Sequence, residues 1–143
     1  MVITAAGPAI RDLRPTDIAA LVSLGDALGA GEPAQVWRRR LGDRAIVAIG
    51  AEQDGRIVGY AAGSVRTAFG LETGGWVETF AVANAWRGRG LGRTLASELL
   101  ARFRATGAQH VYTIVPVHDL ALLPFFRDLG FRDEPVTALG RTL

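Results

Sequence analysis

The segment that joins a strand-like stretch to a helical one reads Val82-Ala83-Asn84-Ala85-Trp86-Arg87-Gly88-Arg89-Gly90-Leu91-Gly92-Arg93-Thr94-Leu95. Trp76 to Val82 has the composition of a β-strand, and a helical pattern runs from Leu91 to Arg104. A glycine-rich turn that opens a helix leaves backbone N–H groups without an acceptor in the helix. These groups, together with the helix dipole, bind anions such as pyrophosphate. We therefore predict a ligand with a phosphate group at Arg87–Thr94.

Spacing excludes two other phosphate-binding turns. The P-loop of nucleoside triphosphatases needs a lysine after its second glycine, and this chain contains no lysine. The dinucleotide fingerprint Gly-x-Gly-x-x-Gly, counted from Gly88, would need its third glycine where Arg93 stands. The spacing that remains is Arg87-x-x-Gly90-x-Gly92. Glycine-rich turns also serve as plain helix entries, so a purely structural turn is the alternative interpretation.

This strand, turn and helix resemble the acyl-coenzyme A signature of the GNAT superfamily of N-acetyltransferases. The resemblance continues downstream, where Gly107 to Pro116 is similar to the family's helix exit and fifth strand. Asp119 to Phe131, which ends in Gly130-Phe131, is similar to the next helix and to the start of the following strand. Ile10 to Asp17 resembles the first strand and helix entry, so the resemblance covers nearly the whole chain.

Length and composition are typical of one globular domain. With 143 residues, 49% of them hydrophobic and 21% charged, the chain is long enough to bury a core, and we predict a single domain over residues 1–143. The absence of cysteine excludes disulfides, and His110 and His118 are too far apart for a helical metal pair, so we predict no metal. The sequence has neither a run of roughly 20 apolar residues nor a secretory signal. We therefore expect a cytoplasmic protein with no membrane partner.

Charge gives little support for nucleic-acid binding. The formal net charge is only +2, and all basic residues are arginine, which raises the isoelectric point without adding a strong field. The run Arg38-Arg39-Arg40 is the densest basic stretch, and we interpret it as a solvated helix face. We predict no nucleic-acid partner.

Periodicity predicts an α/β (α+β) sandwich around one mixed sheet. The predicted helices are Asp17–Leu28, Pro33–Arg40, Leu91–Arg104 and a last one after Asp119, and the predicted strands are Arg44–Glu52, Arg56–Val65, Trp76–Val82, His110–Val115 and Val136–Leu143.

Single residues refine these elements. Asp54-Gly55 marks a hairpin, Thr16 is placed as the N-cap of the first helix, and Pro124 predicts a distorted or late-starting last helix. On the long helix, an apolar residue recurs every four positions and predicts a face packed on the sheet: Leu91, Leu95, Leu99 and Phe103.

The resemblance implies direct transfer of an acetyl group from acetyl-CoA to a primary amine in a ternary complex. It also implies a central, mostly antiparallel sheet with helices on both faces, splayed between the fourth and fifth strands to admit the pantetheine arm. In this arrangement an N–H near Val82 holds the thioester carbonyl. The implied coenzyme contacts are Phe80, Ala81, Val82, Arg87, Gly88, Arg89, Gly90, Leu91, Gly92, Arg93, Thr94, Asp119 and Phe126.

Catalysis is less well defined by the resemblance. An amine must lose a proton before it attacks, and Glu78, a charged residue on an apolar strand, is the candidate base. A structural ion pair or hydrogen bond, and an anionic contact for a cationic acceptor, are the other roles considered for Glu78. Phe126 stands where the family usually has the tyrosine that protonates the thiolate. His118, which can titrate near neutral pH, is the first replacement considered, beside Tyr112, Tyr60 and water.

The acceptor is not named by the sequence. We expect it to bind among the Gly25–Gly42 helix-loop-helix, the Thr67–Gly75 loop and the C-terminal segment, with an acidic and aromatic pocket formed by Glu32, Trp37, Glu72 and Trp76. The alternative function is a non-catalytic acyl-CoA sensor, which the missing tyrosine suggests. Homodimers are common among the proteins that this chain resembles, so a homodimer is a further expectation.

Overall fold

The structure, a computed structural model, describes residues 7–29 and 31–143. Five strands and four helices follow in the order β1 (Ala9–Asp12), α1 (Ile18–Ala27), α2 (Ala34–Leu41), β2 (Ile46–Gln53), β3 (Arg56–Arg66), β4 (Gly74–Val82), α3 (Leu91–Ala105), β5 (Val111–Thr113) and α4 (Leu122–Asp128). Across these described ranges, no helix is both long and apolar enough to cross a membrane.

The five strands form one sheet in the order β1-β2-β3-β4-β5. The first four strands run antiparallel to their neighbours, and β5 runs parallel to β4. The β4–β5 pairing covers only Gly75 to Val77 on β4, although β4 continues to Val82. The predicted splay between the fourth and fifth strands is therefore confirmed.

Two irregularities shape the central strands. Asp54 and Gly55 join β2 to β3 with φ angles of 52° and 76°, as a two-residue hairpin with positive φ at both positions requires, so the predicted hairpin is confirmed. In β4, Thr79 pairs with Ala62 whereas Val77 pairs with the next residue of β3. Glu78 is thus the extra residue of a β-bulge, which bends a strand and re-aims its side chains.

Each face of the sheet carries its own hydrophobic core. The predicted stripe of α3 packs on one face, where Leu95, Leu99 and Phe103 are at most 1% exposed. Phe103 fits against β4 because Gly75 has no side chain, since a Cβ there would lie 2.5 Å from its ring. On the opposite face, α1 and α2 bury Leu21 and Trp37 against β3.

The last predicted strand, Val136–Leu143, is wrong. Residues 132–143 have no strand, and Leu139 and Leu143 are almost fully exposed. A strand needs a hydrogen-bonded neighbour, and within the described residues the outer edge of β5 is unpaired. The late start of the last helix is confirmed, because α4 begins at Leu122 and Pro124 lies in its first turn, where a missing N–H breaks no helical hydrogen bond.

Candidate active site

The start of α3 presents uncovered backbone N–H groups. Gly88 and Gly90 have φ angles of 72° and 83°, a region that glycine enters without a steric cost. The first helical hydrogen bond runs from the Thr94 amide to the Gly90 carbonyl, at 3.0 Å. Among the described residues, no amide from Gly88 to Arg93 donates to another backbone group. These amides form a cradle open to an anion.

The amide of Thr94 does not belong to this uncovered set, and a contact of Thr94 with the coenzyme stays a prediction. Its amide and its hydroxyl both donate to the Gly90 carbonyl oxygen, the hydroxyl at 3.1 Å. Both groups therefore already have an acceptor in the helix. The uncovered set consists of the residues before Thr94.

Space and charge around the cradle suit a phosphate. A Cβ built on Gly88 or Gly90 would meet no heavy atom within 4 Å. Three arginines surround the turn with different contacts. Arg87 donates from Nε to the Val82 carbonyl at 3.4 Å, Arg89 lies 4.8 Å from the centre of the Trp86 ring, and Arg93 is exposed. The residues present therefore fit a diphosphate group.

The unpaired edge of β4 lies next to the cradle. Ala83 donates its N–H to the Val58 carbonyl on the β3 side, and successive residues of a strand direct their main-chain groups to opposite edges. By this alternation, the N–H and C=O groups of Phe80 and Val82 face the gap beyond Val77, while those of Ala81 face β3. A Cβ on Gly92 would lie 3.7 Å from the Phe80 ring, so the side chain of a residue whose main chain faces the gap packs beside the start of α3.

Aromatic side chains of α4 pack against the Phe80 ring, on the face of the sheet that α3 covers. The Phe80 ring lies 5.4 Å from that of Phe125 and 6.3 Å from that of Phe126. Phe126 is buried against Phe131 at 5.1 Å, whereas Phe125 is half-buried and lies nearest to Gly92. Sequence reasoning missed Phe125, because the register of a short helix with an internal proline cannot be fixed from periodicity.

Asp119 lies two residues before the N-cap of α4, Ala121, and its carboxylate accepts hydrogen bonds from the start of the helix. Its Oδ1 accepts the N–H groups of Ala121 at 3.2 Å and Leu122 at 3.0 Å. These bonds satisfy two of the free amides at the start of the helix. A contact of Asp119 with the coenzyme stays a prediction.

Glu78 lies on the α1/α2 face of the sheet with both carboxylate oxygens engaged. Oε1 accepts the Ser64 hydroxyl at 2.6 Å, and Oε2 lies 3.6 Å from Nε of Arg40. The Glu78 side chain is 29% exposed, so one side of it remains open to solvent. Ser64 could have been identified from the sequence, because it is the single serine of β3, a strand dominated by apolar residues.

Arg40 does not belong to a solvated helix face, which corrects the interpretation of the arginine run. Arg38 and Arg39 are exposed, but the Arg40 side chain is only 10% exposed. Its guanidinium lies 4.7 Å from the centre of the Trp37 ring and 2.8 Å from Oε2 of Glu32. The spacing of Trp37 and Arg40, three residues apart on one helix, is the signal that could have identified this contact.

The candidate proton donors lie in different environments. Tyr60 and Tyr112 are buried, and loss of water contact raises the pKa of each phenol above its ordinary value. His118 is exposed in the turn between β5 and α4. Phe126 has no proton to give. Of these candidate proton donors, His118 is therefore the one that is exposed to solvent.

The predicted acidic and aromatic pocket is wrong in its aromatic part. Trp37 is 0% exposed and Trp76 is 3% exposed, so both are core residues and cannot line an open pocket. Glu32 pairs with Arg40, and Glu72 contacts His110 at a different end of the sheet. In the described parts of the chain, no three acidic or histidine side chains come together as a metal site.

Comparison with known proteins agrees with this geometry. The acetyltransferase (GNAT) family matches residues 22–131, whereas no curated protein matches the chain. The fold is similar to that of the aminoglycoside acetyltransferase AAC(6')-Iy in complex with a bisubstrate analog, CoA-S-monomethyl-acetylneamine, at a TM-score of 0.84 and 18% identity, covering 96% of this chain and 99% of that one.

Two further solved structures share the fold. A putative acetyltransferase from Agrobacterium tumefaciens has a TM-score of 0.80 and 21% identity, covering 94% of this chain and 99% of that one. The aminoglycoside 6'-N-acetyltransferase AAC(6')-Ih from Acinetobacter baumannii has a TM-score of 0.82 and 14% identity, covering 96% and 99%. The family match extends over most of the chain and includes the α3 cradle and α4. This chain belongs to the GNAT family of N-acetyltransferases.

Proposed function

We propose that this chain transfers the acetyl group of acetyl-CoA to a primary amine within a ternary complex. The observation that carries the proposal is the proximity of two features. Uncovered amides at the start of α3 adjoin the unpaired edge of β4. A phosphate group and an extended thiol arm would need these two features side by side.

The residues of the cradle would hold the diphosphate. The amides from Gly88 to Arg93 have no backbone acceptor among the described residues, and the helix dipole adds positive potential there. Arg93 is exposed and free to approach a phosphate. Arg87 and Arg89 would have to leave the Val82 carbonyl and the Trp86 ring to do the same.

The edge of β4 would bind the pantetheine arm as an additional strand does. Phe80 and Val82 direct their main-chain groups into the gap, and Phe125 packs against the Phe80 ring. Ala81, whose main-chain groups face β3, would contribute packing only. An N–H of Val82 or Phe80 would donate to the thioester carbonyl, where negative charge develops during transfer.

Glu78 is the group we assign as proton acceptor. The amine nitrogen forms a bond to the acetyl carbon, the bond from that carbon to sulfur breaks, and the amine loses a proton to the carboxylate directly or through water. The thiolate takes a proton from solvent or from His118. A coenzyme thiol has a pKa near 8.5, comparable to that of cysteine, so it leaves without a strong acid.

We propose a cationic amine as the acceptor. The solved relatives named above include aminoglycoside acetyltransferases, whose names specify amino sugars as substrates. In this chain Glu32 and Glu78 are both partly exposed and lie on either side of Arg40. Two carboxylates against one guanidinium leave a net negative charge that favours an ammonium group.

The test is an amine-panel assay of thiol release from acetyl-CoA, with calorimetry of coenzyme binding beside it. We expect coenzyme binding and thiol release with at least one cationic amine. Phe126, in place of a proton-donating tyrosine, favours a second function, a sensor that binds acyl-CoA without turnover. Binding without thiol release from any amine would support the sensor, and absence of binding at millimolar coenzyme would contradict both functions.

Glu78→Gln separates catalysis from binding. The amide keeps the size of the side chain but cannot accept the proton, so we expect kcat to fall by about a hundredfold. The dissociation constant of the coenzyme should stay within twofold, because Glu78 lies on the face of the sheet opposite to α3. Equal kcat in the variant would remove Glu78 as the base.

A further inference from the structure

Arg40 occupies a position that its neighbours in sequence do not share. It lies in the last turn of α2, where a cation is favoured by the helix dipole. Helical side chains point back toward the N-terminus, which takes its guanidinium over the Trp37 ring toward Glu32, a residue that precedes the helix. The result is a chain of charges, Glu32, Arg40 and Glu78, between α2 and the sheet.

The contact with Glu32 leaves the guanidinium incompletely bound. Nη1 lies 2.8 Å from Oε2 of Glu32, but the contact is not aligned as a hydrogen bond, and Nη1 has no hydrogen-bond partner in the described part of the chain. Removing most of the water from a guanidinium is costly unless another group compensates for it. The remaining compensation comes from the Trp37 ring and from Glu78.

Glu78, in turn, depends on two donors from other elements. As the bulged residue of β4 it lacks a paired partner on β3, so the sheet does not fix its orientation by register. Ser64 on β3 donates to one carboxylate oxygen, and Arg40 on α2 faces the other. Among the described residues, Arg40 is the cation within 4 Å of this carboxylate.

We propose that Arg40 is a positioning residue of the reaction, acting through Glu78. This inference rests on the proposed acetyl transfer. Arg40 and Ser64 hold the carboxylate against the α2 side of the bulge, so that its solvent-open side faces the acceptor amine. The side chain of Arg40 does not touch substrate in this arrangement.

Glu32 helps to keep Arg40 in position during the reaction. When the amine nitrogen transfers its proton to Glu78, the carboxylate becomes neutral and Arg40 loses its partner on the sheet. Glu32 then remains as the counter-charge of the guanidinium. The chain of charges therefore keeps Arg40 in place in both protonation states of Glu78.

The first test is Arg40→Gln, with steady-state kinetics and calorimetry. We expect kcat to fall by about tenfold, as a displaced catalytic group loses its near-attack geometry, while the KM for acetyl-CoA stays within twofold. Arg39→Gln removes the same charge from an exposed position of the same helix and should leave kcat unchanged. Arg40→Lys, which restores a cation, should recover part of kcat.

A double-mutant cycle tests whether Arg40 acts through Glu78. In the Glu78→Gln background, Arg40→Gln should change kcat by less than twofold, because the group that it positions is already disabled. An independent tenfold loss in that background would overturn the proposal, and so would an unchanged kcat in Arg40→Gln alone. If Arg40→Gln does not fold, Arg40→Lys takes its place in the cycle. The loss of kcat that it causes in the wild-type background should disappear in the Glu78→Gln background, and persistence of that loss there would overturn the proposal.

Failure of the proposed function gives a different result. Wild-type protein that binds coenzyme but releases no thiol from any amine contradicts the transferase and the positioning role together. Active wild type with additive variants contradicts the positioning role alone. Melting temperatures of all variants accompany the kinetics, so that loss of folded protein is not counted as loss of kcat.

Discussion

Gly90 is the residue on which the candidate coenzyme site depends most directly. Its φ angle of 83° lies in the left-handed region, which costs a residue with a Cβ roughly 1–2 kcal/mol. A Cβ there would meet open space in the protein itself. The backbone conformation therefore requires glycine at this position, and so would the coenzyme proposed to bind there. Packing inside the protein does not require it.

Gly90→Val should abolish measurable coenzyme binding. The branched side chain would stand in the open space beside the uncovered amides, and it would also pull the turn away from its left-handed conformation. Calorimetry with CoA should show at least a hundredfold weaker affinity, since loss of several charge-assisted hydrogen bonds costs about 3 kcal/mol or more. Retained affinity would contradict the assignment of the cradle.

Gly107→Val is the matched control for this substitution. Gly107 has a φ angle of 93° and equally open surroundings, but it follows the other end of α3. The backbone strain is therefore of the same kind, without the change at the cradle. Gly107→Val should lose stability to a similar degree and bind CoA with wild-type affinity.

At the scale of elements, Asp17 joins β1 to α1. Its carboxylate accepts the Arg14 backbone N–H at 2.7 Å and two hydrogen bonds from the Arg11 guanidinium, at 2.8 and 2.9 Å. Thr16, predicted as the N-cap, lies instead within a single turn of 3₁₀-helix over Pro15–Asp17. Asp17 holds the N-cap position of α1, but its side chain makes no hydrogen bond to that helix and accepts instead the Arg14 amide before the 3₁₀ turn. The prediction of Thr16 as N-cap is therefore wrong by one residue.

Asp17→Asn should destabilise the protein in a pH-dependent manner. The hydrogen bonds from Arg11 lower the pKa of Asp17 below its ordinary 3.8, so the folded state gains stability once the unfolded carboxyl ionises. That contribution is complete above pH 5 and is lost as pH falls through the lowered pKa. Urea unfolding should give a deficit of about 1–3 kcal/mol at pH 7.

Unfolding measurements at a second, acidic pH test whether the ion pair contributes to stability. At pH 2.5 the deficit of the variant should have shrunk, because that pH lies below the ordinary pKa of 3.8, so the carboxyl of the unfolded chain is mostly protonated and folding no longer gains the full ion-pair contribution. Asp128→Asn, at an exposed position of α4, should stay within about 0.5 kcal/mol of wild type throughout. A deficit in Asp17→Asn that is equal at pH 7 and pH 2.5 would show that the ion pair does not contribute.

Local patterns accounted for the elements that were predicted correctly. The stripe on α3 and the Asp54-Gly55 hairpin depend on residues close together in sequence, and both are confirmed. Val136–Leu143 has apolar residues at suitable positions, but a strand also needs a neighbour that sequence does not supply. In the described structure the segment does not pair with β5, although the outer edge of β5 is open, so β-propensity alone did not make it a strand.

The candidate site likewise contains residues that the sequence predicts and residues that it does not. The turn glycines could be found because a helix entry is local, and Glu78 because a charge on an apolar strand is conspicuous. Arg40 could not be assigned, since its contact with Glu78 crosses from α2 to β4 and depends on a one-residue bulge. Neither feature has a signature in the spacing of the residues involved.

At the scale of the whole molecule, one edge of the sheet has no hydrogen-bonded neighbour among the described residues. β5 is three residues long, and its outer edge is unpaired in the described structure. An exposed strand edge is a template for another strand. Large exposed apolar side chains concentrate after β5 and in the C-terminal segment: Ile114, Val117, Leu120, Val136, Leu139 and Leu143.

We predict a homodimer in which residues 132–143 of one copy pair along β5 of the other. Pairing would satisfy the open edge and cover Leu139, which is 94% exposed, and apolar burial contributes about 25 cal/mol per Å². Sedimentation equilibrium at micromolar concentration should give a dimer for wild type and for Phe69→Asp, which removes an exposed apolar side chain from a different loop. Leu139→Asp should shift the equilibrium to monomer, because a charge would then lie in the paired segment.

A wild-type monomer at 100 times that concentration would contradict the pairing. Coenzyme affinity should be the same in both variants, because neither residue belongs to the cradle.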